Sequence, residues 1–136
     1  MSGAIELICC ETCGSADRET QGRSRGEQLL AQLRAAHQSD HPALDARISS
    51  VRCLWACSRS CAVHIRSNGR HGYILCELDA SRSTARALLE YGSLYAESPD
   101  GAVPYKRWPL ALRGHFLCRV PAPALRGVES EPNPER

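Results

Sequence analysis

Two tight groups of cysteines, Cys9/Cys10/Cys13 and Cys53/Cys57/Cys61, each follow directly on a short apolar run. This constrains the fold more than any other feature of the chain. A single cysteine inside a domain is usually a small buried hydrophobe. Six of eight cysteines gathered into two groups, both in turn-like surroundings, ask for a shared role instead. The runs before them, IELIC at 5–9 and ARISSVRC at 46–53, read as strands, and the segment between them holds a helix. A strand, a crossover helix and a second strand make a parallel pair. Loops that leave the same ends of two parallel neighbours emerge together at one edge of the domain.

The helix between these strands is marked at its start by Ser24-Arg-Gly-Glu27, a capping box. EQLLAQLRAAH follows, with Leu30, Leu33 and His37 on one face, and Pro42 closes it. After the second cysteine group, AVHIR alternates, with Val63 and Ile65 on one side and His64 and Arg66 on the other. Ser67-Asn68-Gly69-Arg70 predicts a hairpin with a type I′ turn. GYILCEL returns as its partner, with Ile74, Cys76 and Leu78 sharing a face. SRSTARALLEYGSLYA predicts a second helix with Ala85, Leu88 and Leu89 inward, ended by a turn at Ser98-Pro-Asp-Gly101. The segment AVPYKRWPLALRGHFLCRVPAP is proline-rich and reads as irregular. The resulting order, β-α-β-β-β-α, predicts an α/β domain over residues 1–120: a thioredoxin-like mixed sheet with helices packed on it. Residues 121–136 read as a disordered tail.

The charge balance excludes some functions. Seventeen Lys+Arg stand against fifteen Asp+Glu, and they are spread along the chain, so no nucleic-acid footprint is visible. No window approaches the roughly 18–20 apolar residues of a membrane span. MSGAIELICC has neither the basic stretch nor the long apolar run of a signal peptide, which points to the cytoplasm, where thiols stay reduced. Neither a nucleophile elbow nor a glycine-rich phosphate loop is present, so an enzyme of those kinds is not expected.

Thiolates from two loops meeting at one edge can hold an iron–sulfur cluster, a zinc ion or a redox disulfide. A [2Fe–2S] cluster takes four thiolates, two per iron, and a short spacing lets one loop wrap one iron. Cys10/Cys13 and Cys53/Cys57 supply one pair each. Arg52 and Arg59 beside them favour the thiolate form. Zinc also takes four such ligands, but zinc ribbons usually carry two Cys-x2-Cys knuckles, and the second group here has wider spacing. A dithiol catalyst built on Cys10-Glu-Thr-Cys13 is the third reading. Poor helix formers after Cys13 and the lack of any proline between Pro42 and Pro99 argue against it.

CLWACSRSCAVHI resembles the cysteine loop and following strand of thioredoxin-like [2Fe–2S] ferredoxins. CETC, CLWACSRSCAV and YGSLYAESPDG together resemble, more closely, a small bacterial family of predicted metal-binding proteins, over most of residues 5–120. The resemblance implies a cluster- or metal-carrying protein that meets a protein redox partner, with a link to cobalamin synthesis or cobalt handling. Related ferredoxins often form dimers, so it also implies a homodimer. Ser60-Cys61 replaces the Gly-Pro of the ferredoxins, making Cys61 an additional thiol and an alternate ligand. Cys9 is the other alternate, since Cys9 with Cys13 comes closer to the wider first pair of the ferredoxins.

The expectation is therefore an electron carrier with Cys10, Cys13, Cys53 and Cys57 as cluster ligands, and Cys61 and Cys9 in reserve. A zinc- or cobalt-handling protein is the alternative, and a thiol–disulfide protein the second. Cys76 and Cys118 are read as core packing. His64 and His71 are read as solvated strand residues, and Trp55 as a shield or docking surface. Arg52, Arg59 and Arg66 are taken to lie near the site and steer an acidic partner.

Overall fold

The computed structural model describes residues 4–11, 24–54 and 61–122. Strand β1 runs Ile5–Cys10, helix α1 Arg25–Asp40 and strand β2 Ala46–Val51. Strands β3 (Val63–Arg66) and β4 (Gly72–Leu75) form the hairpin, helix α2 runs Arg82–Glu97, and strand β5 covers Phe116–Val120. The sheet order is β2-β1-β3-β4-β5. β1 and β2 are parallel, while β1/β3, β3/β4 and β4/β5 are antiparallel. The first four strands thus keep the thioredoxin-like arrangement read from the sequence, inside an α/β fold with one more strand than expected.

Strand alternation sorts the sheet into two faces. Leu7, Cys9, Val63, Ile65 and Leu75 are buried beneath the helices and share one core with Leu29, Leu33 and Leu88. Glu6, His64, Arg66 and Ile74 alternate onto the other face. Aromatic packing fixes α2 on the sheet: the Tyr73 ring meets Tyr91 and Tyr95 edge-on, each with centroids 6.4 Å apart. Gly92 lets α2 approach β1, because a Cβ there would lie 2.9 Å from the Ile5 side chain.

Helix α1 begins where its capping box predicts. The Ser24 hydroxyl accepts the Glu27 amide, and the Glu27 carboxylate accepts the Ser24 amide. Its buried stripe is Leu29, Leu33 and Ala36, while Leu30 and His37 are half-buried at its edge. α1 packs on α2 as well as on the sheet, and its buried stripe faces both. The side chain of His37 instead bonds the Leu44 carbonyl at 2.8 Å, tying the helix end to the next loop.

The hairpin closes through the Arg70 amide on the Ser67 carbonyl at 3.2 Å. Only Gly69, at φ +78, has positive φ in this turn, so it is not the expected type I′, which needs positive φ at Asn68 too. Arg70 is buried, and its guanidinium donates to Ser67 Oγ and to the carbonyls of Ala96 and Ser98. The turn is therefore held by the end of α2 as much as by its own backbone.

Two corrections concern the C-terminal half. β4 ends at Leu75, with Tyr73 and Leu75 on the core face, so Ile74, Cys76 and Leu78 do not share one. An irregular register at Ile74/Leu75 and the positive φ of Glu77, 59°, break the alternation there. The segment after α2 is also more regular than its prolines suggested. It makes two 3-10 turns, Tyr105–Arg107 and Leu110–Leu112, and then β5. β5 forms because β4 offers an open row of backbone groups, a partner invisible to local pattern. Cys118 stands on β5 and is exposed, not in the core, whereas Cys76 is buried as expected.

Candidate functional site

The parallel pairing of β1 with β2 sets the site. Cys10 lies opposite Val51, and the Glu11 amide continues the ladder to the Val51 carbonyl at 2.8 Å. β2 then turns so that the Leu54 amide donates to the Cys10 Sγ at 3.4 Å. Cys53, half-buried, is the residue before this donor, so one cysteine of each group stands at the same end of the sheet.

Cys61 joins them from the third side. The Cys10 amide donates to the Ala62 carbonyl at 3.2 Å, and Cys61 exchanges backbone bonds in both directions with Leu78. Cys10 is 1% and Cys61 0% exposed. Cys9, one residue earlier in β1, faces the helices and belongs to the core.

The start of α1 closes the remaining side, a contact the sequence reading did not anticipate. The Ser24 hydroxyl donates to the Glu11 carbonyl. A Cβ at Gly26 would collide with the Cys10 carbonyl oxygen, so only glycine lets the first helical turn lie against that backbone. This brings the positive end of the helix dipole beside the end of β1, where it favours anionic groups such as thiolates. The Ser50 hydroxyl donates to the Glu11 carboxylate at 2.8 Å, which ties the two strand ends together through side chains as well.

Of the expected ligands, Cys13 and Cys57 lie outside the described residues, as do Trp55 and Arg59. Among the described residues no three Cys, His, Asp or Glu side chains are gathered as a metal-holding group. The donor set that is described is nonetheless of the right kind: buried sulfur, with a backbone N–H directed at one thiol.

The sequence model of a family described as a protein of unknown function, DUF1636, matches residues 7–122. The chain belongs to the DUF1636 family. No curated protein and no solved structure matches it. The stretch matched to DUF1636 runs from within β1 past the end of β5, and both cysteine groups lie inside it.

Other expected contributors sit elsewhere in this DUF1636 chain. Arg66 was expected near the cysteines, but the antiparallel register sets it opposite Glu6, at the far end of β1. There it pairs with the Glu6 carboxylate at 2.7 Å. Arg52 is exposed beside Cys53. His64 is not a solvated residue: it is half-buried, and its Nε2 has no hydrogen-bond partner among the described residues. Burial, with the neighbouring Arg66 charge, lowers its pKa against a weaker opposing effect of Glu6. His71 accepts the Ala122 amide through Nδ1. Among the described residues no helix is long and apolar enough to cross a membrane.

Proposed function

We propose that this protein is an electron carrier holding a [2Fe–2S] cluster on Cys10, Cys13, Cys53 and Cys57, with Cys61 and Cys9 as alternate ligands. The observation that carries the reading is the Leu54 amide donating to Cys10 Sγ, beside Cys53, at the paired ends of β1 and β2. Parallel strands deliver Cys10 and Cys53, one from each cysteine group, to one edge without a long flexible reach. A thiol with no anionic role has little need of a backbone donor, while hydrogen bonds to sulfur are a principal means of tuning cluster potentials.

The cluster supplies one-electron storage when bound, and the chain supplies the rest. Cys10 presents sulfur from the end of β1, and Cys53 from two residues beyond β2. The buried position of Cys10 and Cys61 keeps water from that side. The N-terminal turn of α1 and exposed Arg52 bias the edge toward anionic thiolates and toward an acidic protein partner. The protein acts as a carrier and not as a catalyst. Its abundance of reduced-type cysteines fits the cytoplasm. The likeness of CLWACSRSCAVHI to thioredoxin-like ferredoxins supports the same reading, and a role in cobalamin or metal metabolism rests on family resemblance alone.

The test is the metal and sulfide content of anaerobically prepared protein, with its visible spectrum. Iron and acid-labile sulfide in equal amounts, about two of each per chain, with visible absorption, is the expected result. A colourless protein with about one zinc per chain would overturn the carrier and leave a metal-handling protein. A metal-free protein that cycles between dithiol and disulfide would overturn both.

A further inference from the structure

The face of the sheet away from the helices carries a cleft of about 450 Å³, within the usual range of small-ligand pockets of about 300–1,000 Å³. It lies between the ends of β1, β3 and β5, lined by Glu6, Arg47, His64, Arg66 and Gly72, with Ala4, Val120 and Pro121 as its apolar wall. The cysteine edge is elsewhere. Glu6 precedes Cys10 along β1 by about 13 Å of extended chain.

Three features give this cleft a chemical preference. Glu6 is the single acid in its lining, set against Arg47 and Arg66. Arg66 meets Glu6 through Nε at 2.7 Å and Arg47 meets it at 3.7 Å, so two guanidinium groups share one carboxylate. Arg70, also in the wall, spends its donors on Ser67, Ala96 and Ser98. The cleft therefore holds an excess of positive charge with guanidinium donors that Glu6 alone does not satisfy.

Gly72 makes the space. It is the first residue of β4, where the missing side chain allows a close approach. A Cβ there would lie 2.9 Å from the Ile65 carbonyl oxygen and 3.0 Å from His64 Nε2. His64 can lie down on β4 only because of that gap. Its Nε2 has no hydrogen-bond partner among the described residues, so the tautomer that buries no orphan N–H there carries the proton on Nδ1.

We propose that this cleft binds a small organic carboxylate. The carboxylate sits between Arg47 and Arg66, in competition with Glu6, and a short apolar body lies against Ala4, Val120 and Pro121. The site does not depend on the electron-carrier reading.

The experiment is an amide NMR titration of the full chain with sodium butyrate, against sodium chloride at matched ionic strength. Saturable shifts at Glu6, His64, Arg66 and Gly72 are expected with butyrate and not with chloride. Replacing both guanidinium groups, Arg47→Gln with Arg66→Gln, weakens binding by about tenfold or more, the loss of a charge-assisted pair. Glu6→Gln moves the other way and tightens it, because the internal competitor is gone. Shifts that rise linearly, that appear equally with chloride, or that are unchanged by both Glu6→Gln and Arg47→Gln would overturn the proposal. Arg47→Gln alone serves if the double variant does not fold, since the Arg47 side chain is 74% exposed.

Discussion

The Leu54 amide donates to the Cys10 thiol although 44 positions separate them in the chain. A crossover helix and a parallel ladder stand between the two, so this contact exists only in the folded state. It ties Cys10 of the first cysteine group to the residue after Cys53 of the second.

Cys10→Ser and Cys53→Ser are expected to lose bound iron and sulfide and the visible spectrum. Cys118→Ser, on the exposed β5, should leave all three unchanged. Cys61→Ser should keep the metal, because the proposed set of four is complete without it. Iron and sulfide per chain, measured on each purified variant, check this. Loss of metal in Cys118→Ser with retention in Cys10→Ser would sink the assignment.

Gly26→Ala places a Cβ against the Cys10 carbonyl oxygen, in backbone that cannot move aside cheaply. Alanine ordinarily favours a helix over glycine by about 1 kcal/mol, so a surface-type substitution would stabilise. Here the overpacking wins, and a net loss of about 1–3 kcal/mol is expected in urea unfolding. Metal content should fall with it, because the first turn of α1 is forced off the end of β1. A stabilised Gly26→Ala would show that α1 does not lie against Cys10.

Tyr91 and Tyr95 stack on each other in α2, yet their hydroxyls differ. The Tyr95 hydroxyl donates to the His71 carbonyl, while the Tyr91 hydroxyl is buried with no partner among the described residues. Burial raises both phenols, that of Tyr95 to about 12. Tyr95→Phe should destabilise by about 1–2 kcal/mol, leaving a carbonyl unpaired. Tyr91→Phe should be neutral or stabilising, since it removes a desolvated hydroxyl and keeps the ring. Thermal unfolding of the two variants gives the comparison, and equal losses would refute it.

His64 sets the expected acid response. Its folded pKa lies below the ordinary value of 6.5 because burial, and then the Arg66 charge, disfavour the imidazolium, with Glu6 opposing. As pH falls below that value the unfolded chain takes up a proton that the folded chain refuses, so stability declines. Above it both states are neutral and nothing is lost. Asp79, whose carboxylate is held below its usual 3.8 by the hydroxyls of Ser81 and Thr84, acts only at lower pH. His64→Gln should therefore shrink the drop in urea midpoint between about pH 7.5 and about pH 5.5. An unchanged drop would assign it to other groups.

The legible parts of this fold are those written in neighbouring residues. Ser24 and Glu27 announced the start of α1 because a capping box is a local exchange of two hydrogen bonds. Val63 and Ile65 alternated correctly because β3 is regular. β5 is not legible because Phe116–Val120 gains its ladder only from β4, and alternation fails past β4 because the register shifts at Ile74/Leu75 and Glu77 takes a positive φ. Arg66 was assigned to the cysteines by nearness in the chain, whereas the antiparallel register carried it to Glu6.

By itself the sequence determined the order of elements from β1 through α2, the hairpin's position, and that one cysteine of each group, Cys10 and Cys53, comes at or just after the end of a strand. Those are matters of capping, turn chemistry and period, each settled within a few residues. Only the tertiary structure decided that Leu54 meets Cys10 and that α1 begins against its carbonyl. It also decided that Gly72, with no side chain, leaves room for His64 against β4. Such contacts depend on strand register and on the close approach of backbones, which no local pattern of residue types encodes.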